Sequence, residues 1–155
     1  MKKIILFLLL FYTNAPQAEI YFCEFWKYPY KTIYVTPAFY FPGNFNEKFE
    51  EYYVSLKPLG KGYNYKDAQS RTGHVSFISA FLGRDFTDEE LYDRWDGNNN
   101  LRSPTVSCKP NSNELKAQME RKKLISGYKS ASGKRVIALD VLPIEHPLFK
   151  GAKKI

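Results

Sequence analysis

The chain has 155 residues, a formal net charge of +7 and an aromatic content of 17%. So many aromatic residues exclude an intrinsically disordered chain, and the length suits one domain able to bury its own core. The charge is unevenly placed. Glu19 to Cys108 holds ten Lys/Arg against twelve Asp/Glu, a balance of −2, and Lys109 to Ile155 holds eleven against four, a balance of +7.

The first segment, "MKKIILFLLLFYTNAPQA", pairs Lys2 and Lys3 with the apolar run Ile4 to Tyr12 and a small, polar exit. This pattern predicts a secretory signal peptide over residues 1–18, cut after Ala18, and an exported mature domain over 19–155. The apolar run is about half the ~20 residues a spanning helix needs, so it predicts no permanent anchor. No later stretch of the mature chain reaches transmembrane length. The expected address is the periplasm of a Gram-negative cell, or the medium otherwise. In such a compartment two cysteines predict a Cys23–Cys108 disulfide, with two free thiols or pairing between chains as the competing readings.

"IYFCEFWKY" and "KTIYVTP" read as strands, with Pro37 closing the second or placing it near an edge. Fourteen of the thirty-five residues from Glu19 to Tyr53 are Phe, Tyr or Trp. Some of these rings are expected at the surface, where Trp26 and Tyr30 are candidate binding residues. "GNFNEKFEEYYVSLKPLG" predicts a helix: Asn44 caps it, Glu47 completes a capping box, and Phe45, Phe49, Tyr52 and Leu56 recur at helical spacing.

Gly60 to Gly73 reads as a long polar loop with one helical turn at most. "HVSFISAFLG" fits both periods, with strand slightly favoured. "FTDEELYDRWDG" predicts a second helix, capped by Thr87 with Glu90. "SPTVSC" predicts a short strand carrying Cys108. "NSNELKAQMERKKLIS" predicts a third helix, capped at Asn111. The continuous apolar run "KRVIALDVL" then has the signature of a central strand. The sum is an α+β domain: a small, largely antiparallel sheet with about three helices and one disulfide.

Several motifs resolve to plain structure. "SGYKSASGKR" resembles a phosphate-binding loop, but five residues separate Gly127 from Gly133, and Arg135 stands where Ser or Thr is needed. It reads instead as a Gly/Ser turn, with Gly127 and Gly133 turning the chain from helix to strand, the wrong sense for a helix N-terminus to meet a phosphate. Asp96, Asn98 and Asn100 mimic a calcium loop, yet Leu101 and Ser107 occupy the places that need Gly and Glu. His74 and His146 lack partners at metal-ligand spacing, so no metal and no cofactor is expected. His74 beside Ser76 is a suggestive neighbourhood that a polar residue at an element's start explains as well.

Two features carry functional expectations. Asp140, within "VIALDVL", shares a face with Val136, Ala138 and Leu142, and is expected to be a buried acid in need of a partner. Arg121, Lys122, Lys123, Lys129, Lys134 and Arg135 form a candidate anion-facing patch. Export and the lack of interleaved aromatic and basic residues argue against nucleic acid as its partner. The sequence therefore predicts a non-catalytic binding protein for a protein or an anionic envelope component. The alternatives are a small hydrolase of an envelope polymer, using Asp140, His74 or a helix-borne Glu, and a glycan-binding module using exposed rings.

Overall fold

The structure is a computed structural model that describes residues 19–27, 32–57, 65–85, 106–131 and 134–155. The predicted signal peptide, Tyr30, the predicted helix after Phe86 and the turn at Asp96–Asn100 lie outside the described residues. In chain order the elements are β1 (Glu19–Lys27), β2 (Thr32–Val35), β3 (Phe39–Phe41), α1 (Phe45–Ser55), α2 (Tyr65–Leu82), β4 (Val106–Asn111), α3 (Glu114–Ala131), β5 (Arg135–Ala138), a 3₁₀ turn (Pro147–Phe149) and β6 (Lys153–Lys154). Among the described residues six strands form one mostly antiparallel sheet, which with three helices makes the fold α+β. Among the described residues no helix is long and apolar enough to cross a membrane.

The sheet is organised around β1, which pairs β4 along one side and β2 and then β3 along the other. β5 joins β2 in parallel and β6 joins β3 antiparallel, so both lie outside the β2–β3 line. β2 and β3 are one passage of chain broken by a bulge. Glu24 faces Val35 and Tyr21 faces Phe39, so Phe22 and Cys23 oppose three residues, Thr36, Pro37 and Ala38. A bulge is a position where a strand tolerates proline, which has no N–H to give. Thr36 secures it: its N–H donates to the Cys23 carbonyl at 2.8 Å, and its Oγ1 accepts the Cys23 N–H at 2.8 Å.

Alternation along β1 divides the interior into two layers. Tyr21, Cys23 and Phe25 face α1, α2 and the C-terminal turn, where Phe39, Phe45, Phe49, Phe77 and Phe149 make the main core. Phe22 faces α3 with Ile33 and Val35, against which Trp26, Leu124, Ile125, Tyr128 and Val136 pack. The aromatic excess of the first third is thus mostly interior: Tyr21, Phe22, Phe25, Phe39 and Phe45 are fully buried, and Tyr40 is an exposed exception.

Five readings of the sequence are corrected. The central strand is β1, not "KRVIALDVL". That segment yields only the short β5, partly exposed and paired to β2, because the chain leaves the ladder after Ala138. "HVSFISAFLG" is helix, the second half of α2, and the supposed loop before it is helical from Tyr65. Gly83, at φ 66°, ends that helix with its N–H donating to Ser79 O at 3.0 Å. Gly127 lies inside α3 and does not turn the chain. The cap of α3 is Asn113, whose Oδ1 accepts the Lys116 N–H at 2.8 Å, in place of Asn111. The capping box of α1 stands as the spacing predicts: Asn44 Oδ1 accepts the N–H groups of Asn46 and Glu47.

Gly73 is where α1 and α2 come closest. A Cβ there would sit 2.3 Å from Tyr53 Cβ, far inside contact distance. The overpacking of Gly73→Ala outweighs the gain in helix propensity, and a net loss of about 1–2 kcal/mol is expected from chemical denaturation. An unchanged or raised midpoint would show that the two helices separate freely.

Candidate functional site

Cys23 and Cys108 face each other directly across β1 and β4 and are bonded. Neither is a nucleophile, and no other cysteine exists. Among the described residues, no group of three or more His, Cys, Asp or Glu side chains is placed to hold a metal ion.

Asp140 is exposed, not buried, because it lies past the end of β5. Its backbone carbonyl accepts a hydrogen bond from Lys154 Nζ at 2.5 Å. The expected buried acid is instead Glu24, on the central strand and 6% exposed. Tyr128 OH donates to its Oε2 at 2.7 Å, and Lys109 Nζ lies 3.7 Å from its Oε1. Burial and this carboxylate together push the Tyr128 phenol up to about 12.

The six predicted basic residues fall into separate settings. Arg121 points inward and is structural: its Nε donates to Thr36 O at 2.6 Å and its Nη2 to Leu139 O at 3.2 Å. It thereby satisfies a carbonyl of the bulge. Burial lowers its pKa, and the charge of Asp140 opposes that shift. Lys122 and Lys129 are exposed on the outward side of α3, and Lys123 is exposed beside them, towards β4. Lys134 and Arg135 are exposed at the start of β5. Trp26 is half-buried against Phe22, Ile33 and Val35, so packing accounts for much of its ring.

Two concavities stand out. The first, of about 550 Å³, runs between α3 and the β1–β4 pair. Phe22, Leu124 and Tyr128 give it apolar walls, and Lys109, Glu120 and Lys123 supply its charges. Gly127 also lines it, and a Cβ there would meet nothing within 4 Å. Glycine inside a helix costs about 1 kcal/mol relative to alanine, and here no close packing requires it.

The second, of about 540 Å³, opens beside α2 and the C-terminal turn, and Ser76, Ser79, Arg84, Asp85 and His146 are among its lining residues. Behind it three polar side chains close a triangle. Tyr52 OH lies 2.8 Å from Ser76 Oγ, and His146 Nε2 lies 3.2 Å from Tyr52 OH and 3.1 Å from Ser76 Oγ. Sequence reasoning missed this cluster and placed Ser76 with His74. Positions i and i+2 of a helix do not face each other, and His74 turns to Phe49, with ring centroids 5.7 Å apart.

The triangle has the residue types of a hydrolase, but its protons are misplaced for one. The Leu148 N–H donates to His146 Nδ1 at 3.3 Å, so the neutral ring carries its hydrogen on Nε2. Nε2 then donates to Tyr52 or Ser76 and has no lone pair for the serine proton. Burial also lowers the His146 pKa. The cluster ties α1, α2 and the C-terminal turn together. No protein-family model, no curated protein and no solved structure matches the chain.

Proposed function

We propose that this is an exported, non-catalytic binding protein that engages a protein or an anionic envelope component through the side of the molecule carrying α3. The supporting observation is the outward stripe of that helix. Leu115 and Met119 are 71% and 63% exposed, and the same stripe continues through Lys122, Ser126 and Lys129. Large apolar side chains left in solvent beside unburied ammonium groups suit a contact surface better than a merely solvated face. The disulfide and the leader-like first segment support the address. Trp26 is largely packed, so glycan stacking gains no support among the described residues.

The test is recovery of a partner from envelope extract by the mature protein and by a Lys122→Glu/Lys123→Glu variant. The parent should retain a partner, losing it progressively as salt rises, and the variant should not. Equal recovery by both would eliminate this surface.

The cleft beside Tyr52, Ser76 and His146 supports a second reading, a small hydrolase. A panel of chromogenic esters decides between them. The binding reading expects no hydrolysis above the level of the Ser76→Ala variant. Turnover that this substitution abolishes would establish the enzyme.

A further inference from the structure

We infer that the groove between β4 and α3 receives an extended, acidic segment of another protein, which adds to the sheet as a strand beside β4. This rests on the binding function proposed above and names its partner chemistry.

The backbone directions carry the inference. The N–H and C=O of Cys23 both point to Thr36, on the β2–β3 side of β1. Cys108 lies directly opposite on the other side, so Cys23↔Cys108 is a non-hydrogen-bonded pair. Its Cα separation of 4.0 Å has the closeness of that pair type. The backbone groups of Cys108 therefore point away from β1, and by the two-residue period so do those of Val106 and Pro110. Among the described residues no strand pairs with this outer edge. It offers the Val106 and Cys108 N–H groups as donors and the Val106, Cys108 and Pro110 carbonyls as acceptors. Pro110 sits where its missing N–H costs β1 nothing, an edge-strand placement.

A strand laid there would project alternate side chains into the groove, over Phe22 and under α3. Apolar walls for the side chains and a ladder for the backbone are the two requirements of strand addition. Charge chooses the partner. Lys109, Glu120 and Lys123 line the groove, and among the exposed side chains of α3 Lys116, Lys122, Lys123 and Lys129 stand against Glu114 and Glu120, an excess of two positive charges. Among the described residues the buried acid nearby is Glu24, already held by Tyr128 and Lys109. A second copy of this chain is the poorer occupant, because an antiparallel β4–β4 contact sets two α3 helices, each with a positive excess, side by side on one face of the joined sheet.

Random dodecapeptides displayed on phage and panned on the oxidised protein test this. The selected peptides should be acidic and rich in β-branched residues. A synthesised one should slow amide exchange at Val106 and Cys108. Its affinity should fall by about tenfold or more in Lys123→Glu. Gly127→Leu, which fills the groove while improving helix propensity, should abolish binding, and Lys153→Glu on the opposite edge should change nothing. Absence of enrichment, enrichment of non-acidic peptides, or protection elsewhere would overturn the inference. So would peptide-free dimerisation that protects the same two amides. The two proposals fail separately. If Gly127→Leu still recovers the envelope partner that Lys122→Glu/Lys123→Glu loses, the α3 surface binds but strand addition is wrong.

Discussion

Replacing both Cys23 and Cys108 by alanine is expected to lower stability by about 4–5 kcal/mol, the chain-entropy value for a loop of 85 residues. Domains of this size are stable by only about 5–15 kcal/mol, so the variant should sit near the edge of folding. The bond joins β4 to the central strand, and Cys23 is wholly buried at the junction of the bulge and the main core. The effect should appear as a lower urea midpoint in the double variant, matched by the reduced parent. A loss below about 1 kcal/mol would show that the β1–β4 ladder is self-sufficient and that the bond only decorates it.

The second large effect is on acid stability. His74 is enclosed in α2 against Phe49, and its Nδ1 is buried with no hydrogen-bond partner among the described residues. Burial lowers its pKa from 6.5 to about 4. The unfolded chain therefore takes up a proton at higher pH than the folded one. Stability is complete above about pH 6.5 and falls as the pH drops towards 4, by about 3 kcal/mol in all. His146, also lowered by burial, adds a slope of the same sign below its unfolded value. Because a buried nitrogen without a partner contributes nothing, His74→Leu should cost under about 1 kcal/mol at pH 7. The same variant should flatten the decline between pH 6.5 and 4. Parallel curves for parent and variant would remove His74 from the account.

How far the sequence could be read follows from the range of each signal. Short-range chemistry was legible: the Asn44–Glu47 box, the fold class, and the pairing of two lone cysteines. Period was ambiguous where aromatics were dense. Phe77 and Phe81 satisfy both a helix and a strand, and only contact with α1 and β1 decides. "IYFCEFWKY" and "KRVIALDVL" are both mostly apolar, so neither announced which one would be flanked on both sides. Position in the sheet is a property of the partners, and β1 has three. Asp140 was misjudged for the same reason, since burial was inferred from a ladder that stops two residues earlier.

Glycine misled in both directions. Gly73 read as a loop end and is a helix–helix contact; Gly127 read as a turn and lines a groove. Of the basic cluster, one guanidinium went inward because a bulge left a carbonyl to satisfy, which no local pattern encodes. Tyr52, Ser76 and His146 are 24 and 70 residues apart, beyond the reach of any motif.

The order of strands in the sheet has a consequence for how the chain reaches its fold. β1 is synthesised before the other described elements, and of its partners only β2 and β3 follow it closely. β4 joins it across 85 residues at Cys23↔Cys108, and β5 joins β2 across 103 residues at Thr32↔Arg135. Until the last third of the chain is available, the central strand has one open flank and an unpaired thiol. Non-local ladders of this kind close slowly, because loop entropy is lost before contacts repay it. The nascent protein is therefore most vulnerable to aggregation and mispaired disulfides at the same strand that later makes it most secure.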